Sequence, residues 1–211
     1  MAKAPTKPLV EAGRAALLYL DANILLPEYL RTIFLDLADA GLVRVYWGEQ
    51  VLAEVRRNLT KPRFGLTLTA IDKLFRQFAV AFPDALVQGS ESLEQRFAGK
   101  TDAKDAHVAA GALKLSEAIS GGQPVILVTS NIRHLPSTAF SGTDVHPARP
   151  GAVLKDLLAV EPRVADVLDA MLMRLGRPRV SRGDLLNILD KANCRAFSTA
   201  LAGAWGLKRA V

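Results

Sequence analysis

A chain of 211 residues is long enough for one sizeable domain and a small addition, and half of its residues are hydrophobic, which supplies a proper core. The net charge of +6 favours polyanionic partners, nucleic acid foremost, although a merely basic soluble surface accounts for it equally well. A single cysteine, Cys194, excludes an intramolecular disulfide and a cysteine-based zinc site; no apolar run is as long as a membrane span, and residues 1–14 lack the apolar centre of a signal peptide. The expectation is a cytoplasmic protein with no membrane partner.

Residues 1–14 read as a loose leader. Leu17-Leu18-Tyr19-Leu20 reads as a buried strand with Asp21 at its carboxyl end, followed by a helix with Pro27 in its first turn. Leu30, Ile33, Phe34 and Leu37 carry helix spacing up to about Ala40, and Gly41 stops it. Leu42–Trp47 alternates as a second strand, and Glu49 to about Leu59 is a helix with Val51, Leu52 and Val55 inward. Leu68–Phe82 is a further helix, ended by Pro83, and Ala85-Leu86-Val87 a short strand. Residues 89–101 are polar loop or short helix. Thr101–Asp105 resembles a helix start, with the helix running through Ile119 to the stop at Gly121-Gly122. Pro124–Thr129 is the most strand-like run of the chain.

Alternating strands and helices imply an α/β domain with a mostly parallel central sheet flanked by helices. After about Pro147 the pattern changes. Pro147, Pro150 and Gly151 form a break, and 153–159, 163–175, 183–192 and 196–204 have helical period. Residues 150–211 hold ten Lys/Arg against six Asp/Glu, so the positive excess is concentrated there. They read as an appended helical extension, with Arg174, Arg177, Arg179 and Arg182 as contacts for RNA or a partner.

Four places share one kind of position, at or just after the carboxyl ends of strands: Asp21; Glu54; Asp102 with Asp105; and Thr129-Ser130-Asn131. Each has an ordinary explanation. Asp102 and Asp105 suit a helix cap, Glu54 with Arg57 and Asn58 a solvated helix face, and Thr129-Ser130-Asn131 a polar loop. His107, two residues past Asp105, points away from it on a helix and reads as structural; His134 and His146 have no ligand-like spacing. Placement is what these explanations leave over. Clustered carboxylates repel and stay ionised only around a cation. Oxygen ligands favour Mg²⁺ or Mn²⁺, and such a site beside basic surface suits phosphodiester hydrolysis.

The ordered set Leu20-Asp21-Ala22-Asn23, Gln50-Val51-Leu52-Ala53-Glu54, Asp102-Ala103-Lys104-Asp105-Ala106-His107 and Val128-Thr129-Ser130-Asn131 resembles the PIN-domain ribonucleases, most closely the VapC-type toxins of toxin–antitoxin pairs. The resemblance covers about residues 15–147, and the tail, especially 163–197, resembles the helical C-terminal extension of one subgroup. It implies a PIN-like nuclease domain over 15–147 and an extension over 150–211. It also implies a divalent-metal endoribonuclease using Asp21, Glu54 and Asp105 on Mg²⁺ or Mn²⁺, with Asp102 as acidic neighbour. Asn23, Thr129, Ser130 and Asn131 would line the polar pocket. RNA is the implied substrate, a cognate antitoxin the partner, and a homodimer the assembly. One departure stands out: His134 occupies the place of a commonly present Asp, beside the metal ligands.

Two rivals come from other classes. A haloacid-dehalogenase-type phosphatase needs an acid two residues after the first Asp, where this chain has Asn23. A PIN-like domain that binds RNA or a partner but has little activity is the other. A dinucleotide oxidoreductase lacks its G-x-G-x-x-G after the first strand.

Overall fold

The computed structural model describes residues 9–119, 122–176 and 179–208. Residues 1–8 of the leader, Gly121 and Arg177 lie outside them. Among the described residues five strands pair in parallel in the order β3-β2-β1-β4-β5: β1 (Ala16–Leu20), β2 (Val43–Gly48), β3 (Leu86–Val87), β4 (Val125–Val128) and β5 (Val145–Ala148). Tyr19 lies opposite Tyr46 on one side of β1 and Leu127 on the other. Every residue of β1 and of β4 is buried, as a strand covered by helices on both faces requires. The chain lays β1, β2 and β3 outward in one direction, then returns to place β4 on the other side of β1. That reversal opens a crevice beyond the carboxyl ends of β1 and β4, where ligands bind in open α/β sheets.

A short helix α1 (Ala22–Leu25) leaves β1 directly, and α2 (Glu28–Asp39) follows with Pro27 at its N-cap rather than in its first turn. α3 (Glu49–Leu59) starts where β2 ends, with Gly48 as N-cap. α4 (Leu68–Ala81) is capped by the Thr67 side chain, which accepts from the Ala70 amide. α5 (Ala106–Ala118) buries Ala106, the run from Val108 to Leu113, and Leu115, so it is apolar almost all round and lies inside the domain.

Tyr19 fixes how closely α3 and α5 approach β1. A Cβ at Gly48 would stand 2.5 Å from its hydroxyl oxygen, and one at Gly111, in the middle of α5, would stand 1.9 Å away. The two glycines form the slot that receives the ring. Tyr19 and Asp21 are two residues apart on a strand and so share a face. The slot therefore sets the start of α3 and the depth of α5 against the strand that carries Asp21 at its end.

The C-terminal helices are α6 (Pro150–Val160), α7 (Arg163–Arg174), α8 (Arg182–Lys191) and α9 (Arg195–Ala204). Their buried residues, among them Leu154, Leu168, Met171, Leu189 and Phe197, belong to one continuous apolar cluster with those of the sheet. α7 packs on α2, where Arg174 pairs with Asp36, and α9 packs on α6.

Besides Pro27, the structure departs from the sequence expectations at β5, at β2, at the start of α5 and at the leader. Residues 145–148, read as the approach to a break, form edge strand β5, which tolerates Pro147 because one side needs no ladder bonds. β2 is buried on both faces except at Arg44 rather than alternating. Glu91–Phe97 is 3₁₀ helix, which meets the short-helix alternative expected for 89–101. α5 begins at Ala106, so Asp102 and Asp105 lie in the turn before it instead of on its first turn. The end of the leader is docked: Val10 is buried, and the Leu9 amide donates to Asp156 of α6 at 3.2 Å. Among the described residues no helix is long and apolar enough to cross a membrane.

Candidate functional site

The crevice beyond β1 and β4 is where the predicted residues gather. Asp21 is buried, and its Oδ2 accepts from the Thr129 hydroxyl at 2.6 Å and from the Asn23 side-chain amide at 2.5 Å. Thr129, fully buried, in turn accepts at Oγ1 from the Asn131 backbone N–H at 2.9 Å and from the Asn23 amide at 3.2 Å. The Ser130 amide donates to Asn23 Oδ1 at 2.9 Å. One compact network thus ties the exit of β1 to the exit of β4. Both side-chain bonds to Asp21 fall on a single oxygen, which fixes the carboxylate plane.

The turn before α5 joins through Asn131, whose side-chain amide donates to Asp105 Oδ2 at 2.8 Å. His134 closes the same corner: its Nδ1 lies 3.3 Å from Asp105 Oδ2 and 3.5 Å from Asp102 Oδ2. The backbone repeats the link, since the Asp102 amide donates to the His134 carbonyl at 3.3 Å. Glu54 faces the crevice from the second turn of α3, with the Nε2 of His107 3.7 Å from its Oε2. Glu54, Asp102, Asp105, His107, Asn131 and His134 line an open cavity of about 630 Å³, with Gln50, Ala53, Arg57 and Lys104 completing its wall. His107 thus points into the cavity, not away from it. Asp105 and His107 both line the cavity although they are two residues apart in the chain.

Electrostatics couples the acids. Burial pushes the Asp21 carboxyl up to about 6; the Thr129 hydroxyl pulls it down, while the charges of Asp105 and Glu54 push it up further. The Tyr19 phenol next to it is also raised, by burial first and then by the Asp21 charge. The carboxylates of Asp21, Glu54, Asp102 and Asp105 offer the oxygen donors that take Mg²⁺ or Mn²⁺, with the imidazoles of His107 and His134 beside them. A cation among Asp21, Asp105 and Glu54 would cancel the repulsion that opposes ionisation of Asp21. In kind, then, the residues fit such an ion. In placement they stand apart: among the described residues no three His, Cys, Asp or Glu side chains are close enough, as they stand, to hold a metal. Binding requires side-chain rotation that draws Glu54 and Asp105 toward Asp21.

The basic residues of the tail divide. Arg174 pairs with Asp36 on α2, and Arg182 makes a two-pronged bond to Asp169 while stacking 5.2 Å over the Trp205 ring. Both therefore hold helices together whatever else they contact. Arg179 lines a groove of about 420 Å³ between α7 and α8. Nearer the acids, sequence reasoning missed Lys104, and it read Arg57 only as part of a solvated face. Arg57 follows Glu54 by three residues on α3, a spacing that already put the two on one face. No family model, curated protein or solved structure matches the chain.

Proposed function

We propose that the chain is a divalent-metal-dependent endoribonuclease acting in the cytoplasm, as the toxin of a toxin–antitoxin pair. One observation carries the reading. Buried Asp21, at the point where the strand order reverses, is electrostatically coupled to Glu54 and Asp105, which line a cavity that also holds Arg57 and Lys104. Carboxylates serve to collect a cation there, and basic side chains to collect a phosphate backbone.

The chain's own residues have separable tasks. Thr129 and Asn23 hold Asp21 in one orientation, and Asn131 does the same for Asp105. Glu54 completes the set from α3. A dication held by Asp21, Glu54 and Asp105 would supply positive charge to lower the pKa of an attacking water and to offset charge building on the phosphoryl oxygens. Arg57 and Lys104 attract adjoining phosphates to the cavity mouth. Water as the attacking group makes the ribose 2′-OH dispensable, and the resemblance to the PIN-domain ribonucleases implies a 5′-phosphate product end.

The test is cleavage of RNA oligonucleotides by the purified protein in Mg²⁺, in Mn²⁺ and in EDTA. Cleavage confined to the metal-containing samples, and reduced to background by Asp21→Asn and by Asp105→Asn with the fold intact, is the expected result. Undiminished cleavage by either variant rules out the assignment of these acids. The toxin reading predicts growth arrest on expression, relieved by a co-expressed antitoxin.

A second reading has its own observation. His134 lies against Asp102 and Asp105, and the acids do not converge, which favours a PIN-like domain that binds RNA or a partner with weak activity. Binding of RNA without cleavage in any metal selects it. The phosphatase reading gains nothing, because Asn23 is engaged with Asp21 and Thr129 and has no acid to offer as a proton donor.

A further inference from the structure

His107 is out of place as a merely structural histidine. Its side chain is largely enclosed, its Nε2 is buried, and that nitrogen has no hydrogen-bond partner. An unpaired buried polar atom is destabilising, so one aimed at a cavity points to a partner that arrives later. The nearest acceptor is Glu54 Oε2 at 3.7 Å, beyond hydrogen-bond length. His107 stands at the second position of α5, whose depth is set by the Tyr19 slot, so the imidazole is held by a rigid element. Glu54 is about one-third exposed and sits on a helix face open to the cavity, so the carboxylate is the partner with room to move.

Resting on the metal-dependent reading above, we propose that His107 is a positioning residue for Glu54. When Glu54 swings toward Asp21 and Asp105 to hold a dication, one oxygen meets Nε2–H of His107 while the other faces the ion. The histidine touches neither metal nor substrate. Its part is to select the rotamer of Glu54 that turns three separated acids into one site, as partners behind metal-binding carboxylates do.

The experiment is Mn²⁺ titration of the full chain followed by electron paramagnetic resonance, which reads free Mn²⁺ without any turnover. Wild type, Asp21→Asn, His107→Ala, His107→Gln, Glu54→Gln and the double variant His107→Ala/Glu54→Gln are compared, with circular dichroism to confirm folding. His107→Ala is expected to weaken Mn²⁺ binding by about tenfold, the range for such outer partners. His107→Gln, which keeps an N–H donor of similar reach, recovers most of the loss and serves if the alanine variant does not fold. In the Glu54→Gln background His107→Ala has no further effect, because the histidine acts only through Glu54.

Wild-type affinity in His107→Ala overturns the proposal. So does an equal loss in both backgrounds, which makes His107 an independent ligand or a packing residue. If the wild type binds no Mn²⁺, or if Asp21→Asn binds as well as wild type, the metal-dependent reading itself falls, and the proposal with it.

Discussion

Asp21 carries an uncompensated charge in the absence of a cation, and its consequences can be worked out in sign. Its carboxyl is raised from 3.8 to about 6 in the fold. Between those values the native state binds more protons than the unfolded one, so stability falls as pH rises through that window and is flat above it. Asp21→Asn removes the penalty while its amide oxygen still accepts from Thr129 and Asn23. In EDTA the variant should match wild type near pH 4 and exceed it by on the order of 2 kcal/mol at pH 7. Thermal unfolding of both proteins across that range checks it; a difference that does not change with pH contradicts the assignment. Adding Mn²⁺ should raise the melting temperature of wild type and leave the variant unmoved.

Thr129 predicts the complement. Thr129→Val deletes the hydroxyl that serves Asp21, Asn23 and the Asn131 amide, all at a fully buried position. The loss should be roughly 1–3 kcal/mol, and since that hydroxyl pulls the Asp21 carboxyl down, the pH window of falling stability should move upward. The same unfolding series reads both effects, and an unmoved window counts against the network. At His134, substitution by Asp adds an oxygen donor beside Asp102 and Asp105. His134→Asp should reach half-maximal RNA cleavage at a lower Mg²⁺ concentration than wild type, measured at one pH and ionic strength. An unchanged midpoint means that position 134 takes no part in holding the ion.

At the scale of elements, the Tyr19 slot yields a prediction against helix propensity. Alanine is about 1 kcal/mol better than glycine inside a helix, yet Gly111→Ala should destabilise, by about 1–3 kcal/mol or more, because its Cβ would meet buried tyrosine atoms. Tyr19→Phe should not rescue it, since the ring carbon Cζ is itself 2.5 Å from that Cβ. Urea unfolding midpoints decide; a neutral or stabilising Gly111→Ala means that α5 can withdraw from β1. Elements whose signal is local were legible beforehand. The continuous apolar runs of β1 and β4 and the stripes of α2, α3 and α4 follow from periodicity, and so does the parallel α/β class. What escaped depends on neighbours. β5 carries a proline and only four residues, and it is a strand because β4 lies beside it. The start of α5 is set by hydrogen bonds between the turn at 102–105 and the loop at 131–135, which no propensity reports.

For the molecule as a whole, the C-terminal helices cannot be treated as a detachable RNA-binding arm. Leu154, Leu168, Met171, Leu189 and Phe197 share the sheet's apolar cluster, and α7 covers α2. A protein ending after Arg149 should therefore aggregate or unfold rather than retain its cavity with weaker RNA binding. Size-exclusion chromatography and circular dichroism of the truncated chain check this, and a monomeric, folded product shows that the tail is dispensable to the core.

The strand order has a bearing on how the protein is made. β1 emerges from the ribosome early, but its neighbour β4 and the Thr129 hydroxyl that orients Asp21 lie 108 residues further on. At synthesis rates of roughly 5–20 residues per second, the first acid waits many seconds for the partner that shapes it. A nascent chain thus lacks an oriented Asp21 until translation is past β4. Under the proposed nuclease function, the topology itself delays activity until β4 and Thr129 have been made and have folded against β1.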